Sequence, residues 1–207
     1  IEAVTKSFLE TDGSIAEINP VVVTTDGRIL AADAKFSIDD SALFRQKNLA
    51  DLRDRSQEAD KELEAQDAGI GNYIKLDGNI GCLVNGAGLA MSTLDAIKMA
   101  GGNAANFLDI GTANSPEAVV AALKIIGTDP DVKAVLVNIF GGLARTDIIA
   151  QGVIDAKNQG LIPQPTIVRL AGSNVNEGNE LLDNSGLDLV RANGFAEAAK
   201  SAVSAIS

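Results

Sequence analysis

After Asn79 the chain falls into a rhythm that leaves few architectures open. Apolar runs at 80–84 (IGCLV), 105–110 (ANFLDI), 133–139 (KAVLVNI), 166–170 (TIVRL) and 187–191 (LDLVR) alternate with helix-type segments at about 88–100, 115–127, 146–159, 175–184 and 194–206. Five strand–helix units of this kind predict an α/β fold, a doubly wound parallel five-stranded sheet with helices on both faces. Beyond this architectural repeat the sequence shows neither an internal repeat nor a low-complexity segment.

Upstream the pattern changes. Residues 15–36, IAEINPVVVTTDGRILAADAKF, read as two strands around the turn Thr25-Asp26-Gly27. With Gly27 in the left-handed position, Thr24 opposes Arg28, Asn19 opposes Asp33 and Glu17 opposes Lys35. Polar residues then share one face, and Ile18, Val22, Leu30, Ala32, Ala34 and Phe36 take the other, an alternation that disfavours a one-residue slip. Pro20 lacks a ladder donor and marks an edge strand. Residues 45–68 are densely charged and read as a solvated helical connector or linker. A domain boundary is expected near 66–72, around Ala68, Gly69 and Gly71, giving domains 1–66 and 67–207. The opening IEAVTKSFLE has no initiator methionine or capping residue in front and reads as the middle of a helix, as expected of a piece of a longer chain.

A length of 207 residues suits one good core plus a smaller appendage. No apolar run approaches the roughly 20 residues of a membrane helix. The net charge of −11 argues against unaided nucleic-acid binding, which needs clustered Lys and Arg. Cys82 is the single cysteine, so no internal disulfide or cysteine metal cage is available. The sequence contains no histidine, which removes a Ser-His-Asp triad, a zinc–histidine site and phosphohistidine on these residues. Chemistry that needs an imidazole must take it from a partner.

In doubly wound sheets ligands bind beyond the carboxyl ends of the strands where the order reverses, which for the order 2-1-3-4-5 lies between strands 1 and 3. The loops there are Asn85-Gly86-Ala87-Gly88 and Gly141-Gly142-Leu143-Ala144-Arg145, both glycine-rich turns feeding a helix. Gly86, Ala87, Gly88 and Gly141 offer backbone N–H groups to an anion at a helix N-terminus, and Arg145 offers a fixed cation. Tight strand-to-helix packing with Arg145 on the surface is the plainer alternative. A third turn, Gly111-Thr112-Ala113-Asn114-Ser115, supplies Ser115 as a cap before Pro116. On the hairpin, the acid, amide and acid of Glu17, Asn19 and Asp33 have the oxygen chemistry that suits Mg²⁺, although such a face is more often simply wet.

EINP at 17–20, ALFRQ at 42–46, LDGNIGCLVNGAGLAM at 76–91, GGNAANFLDIG at 101–111, VKAVLVNIFGG at 132–142 and IVRLAGSN at 167–174 together resemble the β subunits of succinyl-CoA synthetases, the ADP- or GDP-forming succinate–CoA ligases. The resemblance runs over nearly the whole chain. It implies the C-terminal part of an ATP-grasp nucleotide-binding domain over residues 1–66, followed by a flavodoxin-like CoA-ligase domain. It further implies Mg²⁺ ligation by Asn19 and Asp33, a catalytic role for Glu17 beside a phosphohistidine loop, and succinate contacts from Asn85, Gly142, Leu143 and Ala144. ATP or GTP would be the co-substrate, with most of its site upstream of residue 1. CoA and the active histidine would belong mainly to an α-subunit partner, in a bacterial cytoplasm or a mitochondrial matrix, and this stretch alone would be inactive.

Three departures from the family pattern bear on the acid. GTAN stands at 111–114 where the family is usually GGGA, GGLAR replaces the commoner GGI-type loop, and Ala171 sits where an acid is frequent. Thr112 and Asn114 add side chains where backbone would be bare. A ligase for another acid such as malate or citrate, and a non-catalytic binding or assembly module of the same fold, are the competing expectations.

Overall fold

The computed structural model describes residues 1–70, 72–113 and 115–206. Of the residues singled out above, Gly71 and Asn114 lie outside the described residues. The chain divides into two compact units, Ile1–Gln57 and Glu58–Ser207.

The first unit contains α1 (Glu2–Glu10), β1 (Gly13–Ile18), β2 (Val21–Val23), β3 (Ile29–Ala31), β4 (Ala34–Ile38) and α2 (Lys47–Ala50). Its hairpin has the register the alternation requires: Glu17 opposes Lys35 in the β1–β4 ladder, and Val22 opposes Leu30 in the β2–β3 ladder. Between the two ladders the Asn19 N–H donates to the Asp33 carbonyl at 3.2 Å. The turn closes through the Thr24 N–H to the Arg28 carbonyl at 2.9 Å, with Gly27 at φ +81°. Pro20 separates β1 from β2, and its carbonyl accepts from the Ala32 N–H at 3.0 Å.

The division falls ahead of the expected 66/67 boundary, and the packing of α3 (Asp60–Asp67) explains why. Ala65 is fully buried in the core of the second unit. The Glu62 carboxylate accepts from the Lys75 N–H at 3.1 Å, and Lys61 Nζ donates to Thr128 Oγ1 at 2.8 Å. Instead of one solvated connector, residues 45–68 form α2, a 3₁₀ turn at Arg55–Gln57 and this docked helix.

The second unit continues with β5 (Tyr73–Lys75), β6 (Ile80–Val84), α4 (Ala87–Met99), β7 (Asn106–Leu108), α5 (Pro116–Gly127) and β8 (Ala134–Gly141). It ends with α6 (Thr146–Asn158), β9 (Thr166–Gly172), α7 (Val175–Asn184), β10 (Val190–Arg191) and α8 (Phe195–Ser204). Strands pair in parallel in the order β10-β9-β8-β6. Beyond β6, β7 joins through isolated parallel bridges, Ile80 with Ala104 and Val84 with Asp109. The expected order 2-1-3-4-5 is therefore the one seen, with four strands in one continuous ladder and the second joined to it only locally. Asn106 Oδ1 accepts from the Cys82 N–H and Asn106 Nδ2 donates to the Cys82 carbonyl, both at 2.9 Å, between backbone bonds from the Ala105 N–H to the Ile80 carbonyl at 2.8 Å and from the Ile110 N–H to the Val84 carbonyl at 2.9 Å. This leaves β7 free to pair antiparallel with β5.

Side chains alternate across the sheet as a strand period of two demands. Val135, Val137 and Ile139 of β8 enter the core with α5 and α6, while Ala134 and Leu136 enter the core with α4 and α8. The Ser115 hydroxyl accepts from the Ala118 N–H at 3.4 Å and Pro116 opens α5, the start the sequence signals. Among the described residues no helix is long and apolar enough to cross a membrane.

Candidate functional site

The carboxyl edge of the parallel sheet opens into a cleft of about 760 Å³. Asn85, Gly86, Gly88, Gly142, Leu143 and Ala144, expected at the site from the sequence, line it together. Thr112 lines it as well, so one of the side chains added by GTAN does face the cleft. Ala87, Gly141 and Arg145 are not among the lining residues.

Hydrogen bonds stitch the strand-end loops into one wall. Asn85 Nδ2 donates to the Phe140 carbonyl and Asn85 Oδ1 accepts from the Phe140 N–H, both at 2.8 Å, extending the β6–β8 ladder by a side chain. Asp109 Oδ1 accepts from the Gly86 N–H at 2.5 Å and the Gly111 N–H at 2.8 Å, binding the loop after β7 to the loop after β6. The Ser173 N–H donates to the Gly141 carbonyl at 2.7 Å, and Thr146 Oγ1 donates to the Ser173 carbonyl at 2.9 Å. Asn85 and the Gly86 donor are thus already engaged within the protein.

The two glycines that end β8 have separate causes. A Cβ on Gly141 would lie 2.8 Å from the Ser173 carbonyl oxygen, so the close approach of the β9 end requires a glycine there. Gly142 faces open space and lines the cleft. At the start of α4, Gly86 adopts φ +87° as the N-cap, with no side-chain cap. The first-turn N–H groups of that helix have no intrahelical acceptor, and they point out of its N-terminus, where the helix dipole favours negative charge.

Arg145, expected as a cation at the site, is paired with a carboxylate two positions on and is not among the residues lining the cleft. Its guanidinium makes a fork to Asp147 through Nε at 3.1 Å and NH2 at 2.5 Å. The hydrogen bond from Arg145 holds the Asp147 carboxyl below its usual value, and Arg145 is raised in turn. Arg145 is the N-cap residue of α6 and Asp147 lies in its first turn, with no side-chain cap bond to the helix. Among the described residues the cation lining the cleft is Arg169 of β9, which the sequence reading passed over. An arginine inside the apolar run IVRL was the available signal, since charged side chains are rarely placed in buried strands without a partner. Arg169 NH1 donates to Asn138 Oδ1 at 3.3 Å, Asn138 Nδ2 donates to Thr93 Oγ1 at 2.8 Å, and the Thr93 hydroxyl donates to the Leu89 carbonyl at 2.7 Å. Cys82, beneath this edge, is fully buried, and desolvation pushes its thiol up to about 12, which keeps it protonated and inert.

The hairpin of the first unit presents Glu17, Asn19 and Asp33 at the surface. Asn19 Nδ2 donates to Glu17 Oε1 at 3.3 Å, and Asp33 Oδ1 accepts from the Ala34 N–H at 2.9 Å. Among the described residues no group of three or more His, Cys, Asp or Glu is placed to hold a metal.

The second unit is a doubly wound α/β domain whose strand-end cleft is lined, among the described residues, by Arg169 and the start of α4 and by no Asp or Glu. The family model described as CoA-ligase matches residues 83–203, and the chain belongs to that family. It is 53% identical over 200 residues to the succinate–CoA ligase [ADP-forming] subunit beta of Chloroherpeton thalassium, covering 97% of this chain and 51% of that protein. It is 50% identical over 204 residues to the protein of the same description from Myxococcus xanthus, covering 99% of this chain and 53% of that one. The chain therefore spans about half the length of the curated relatives it matches. Among solved structures, an ATP citrate lyase from Methanothrix soehngenii in complex with citrate and coenzyme A shares the fold, with a TM-score of 0.74 at 19% identity over 98% of this chain and 57% of that one.

Proposed function

We propose that the chain is part of the β subunit of a nucleotide-dependent succinate–CoA ligase, joining an acid to CoA at the expense of ATP or GTP through an acyl phosphate. The observation that carries this reading is identity of 53% sustained over 97% of the chain with a relative of that description. The cleft supports it chemically. A phosphorylated acid brings negative charge, and the N-terminal turn of α4 meets it with backbone N–H groups and a helix dipole, stabilising the charge without any proton transfer. Asn85 holds the loops after β6 and β8 at fixed separation, so that Gly142, Leu143 and Ala144 wall the acid on its other side.

In this reading, as the family resemblance implies, the phosphoryl group arrives on a histidine of an α-type partner, which agrees with the absence of histidine from these 207 residues. Asn19 and Asp33 bring oxygen donors to one face of the hairpin, and that donor chemistry fits Mg²⁺ completed by water and phosphate oxygens. Bound there, the ion would neutralise charge on the nucleotide phosphates. Glu17, on the same face, accepts from the Asn19 amide and would orient it.

A second reading, a ligase for another acid, is favoured by one observation: Thr112 adds a hydroxyl to the cleft lining. The test is acyl-CoA formation by the complete subunit with its α-type partner, across succinate, malate, citrate and itaconate, with ATP and GTP in parallel. Succinate turnover is expected to dominate. Preference for a hydroxylated acid would move the assignment to the second reading, and no turnover with any acid would leave a binding module.

A further inference from the structure

The geometry points to Arg169 as the residue that binds the non-reacting carboxylate of a dicarboxylic acid, making this cleft selective for diacids over monoacids; the inference rests on the ligase reading above. Charge is the first reason. The chain carries a net charge of −11, yet among the described residues the cleft lining contains no Asp or Glu and a single cation, Arg169. An acidic protein that keeps its carboxylates off one concave surface and puts an arginine there has shaped that surface for an anion.

Unused bonding capacity is the second. Arg169 is half-buried and donates from NH1 to Asn138 Oδ1 at a long 3.3 Å, while its Nε is buried without a hydrogen-bond partner in the protein. A guanidinium carries five N–H donors in a planar fork that matches a carboxylate. The Nε is closed off from the cleft, so a carboxylate would be met by the terminal nitrogens at the half-exposed end of the fork. The acceptor that does hold the arginine is itself rigid. Asn138 is 1% exposed and is fixed to α4 through Thr93.

The third reason is register. Val84, Asn138 and Arg169 stand opposite one another across β6, β8 and β9. In-register residues of parallel strands point to the same face, so Arg169 shares the α4 side of the sheet with Asn138. It lies two strand spacings, roughly 10 Å, from the strand that feeds the α4 N-terminus. The cleft thus has two positive centres separated along its floor: backbone donors of α4 at one end and a guanidinium at the other. Phe140 and Phe195 line the same cleft and offer apolar surface to the methylenes between two carboxylates. A monoacid would fill one centre and leave the other unpaired.

The experiment uses the complete subunit assembled with its partner, as wild type, Arg169→Gln and Arg169→Lys. KM and kcat are measured for succinate and for butyrate, together with KM for CoA and nucleotide, and melting temperature is followed alongside. Arg169→Gln is expected to raise KM for succinate by roughly 10- to 100-fold, as loss of a hydrogen-bonded charge contact predicts. KM for CoA and nucleotide should stay within about twofold, the succinate-over-butyrate preference should collapse, and Arg169→Lys should recover part of it. An unchanged KM for succinate with only a lowered melting temperature would make Arg169 a structural residue and overturn the inference. If the wild type makes no thioester from any acid, the ligase reading fails on its own; calorimetric binding of succinate to wild type and Arg169→Gln then decides separately, and equal or absent binding overturns the arginine's role.

Discussion

The two units use the same raw material differently. In Glu58–Ser207, strands β6 and β8 are buried almost end to end, with Ile80, Leu83, Val135, Val137 and Ile139 all at 0% exposure. In Ile1–Gln57 the hairpin keeps an orderly register, yet Val23 and Ile29 are 72% and 73% exposed, and Ala42 is the one buried residue among those described. Within residues 1–57 the ties seen are turn chemistry, ladder bonds and a staple in which Arg45 and Gln46 grip Asp12. The second unit is organised by burial, and its strand-end loops line the cleft of about 760 Å³.

The sharpest way to break this contrast is a matched pair of truncations. Leu136→Ala in β8 removes a side chain that is 1% exposed and should cost about 2–5 kcal/mol in chemical denaturation. Val23→Ala in β2, 72% exposed, should stay within about 0.5 kcal/mol. Equal costs would mean that Val23 is buried in solution and would remove the contrast. A smaller effect tests whether the cleft wall is held by side chains. Asn85→Ala breaks both bonds to the Phe140 backbone and should destabilise the second unit by about 1–3 kcal/mol. It should also speed amide exchange at Phe140 selectively, and unchanged exchange there would deny Asn85 its bridging role.

The weakest effect belongs to the first unit and depends on pH. Hydrogen bonds from Arg45 and then Gln46 lower the Asp12 carboxyl from 3.8 to about 2. A depressed carboxyl contributes stability above its unfolded value and loses it as pH falls through the folded one. The staple should therefore be complete above about pH 4 and release as pH approaches 2. Side-chain NMR signals of Arg45 and Gln46 should titrate in that window and cease to do so in Asp12→Asn. Titration surviving in that variant would assign the transition to another group.

What the sequence makes legible follows from periodicity and from local turn rules. The TDG turn set the hairpin register because a strand slip inverts both faces at once, and the strand–helix alternation set the sheet order. Side-chain commitments were not legible. Arg145 reads as a free cation, but Asp147 lies two positions on, across the N-terminus of α6, and closes a fork with it. Asn85 reads as a ligand contact, yet both ends of its amide are spent on Phe140. Arg169 was hidden for the opposite reason, because its partner Asn138 comes from a neighbouring strand that only the folded register brings alongside. The connector at 45–68 hid its docking because a charged helix can bury a single small residue, here Ala65, without showing an apolar stripe.

The attachment of β7 bears on how such a cleft can change over generations. A backbone ladder is written into every residue of two strands and can be altered only by altering the whole sheet. The tie between Asn106 and Cys82 adds a fastening written in one codon. The loop that carries Gly111 and Thr112 to the cleft therefore hangs from two kinds of support: backbone bonds such as the Ile110 N–H to the Val84 carbonyl at 2.9 Å, which any residue but proline can make, and side-chain ties from Asn106 and Asp109, which a single substitution removes.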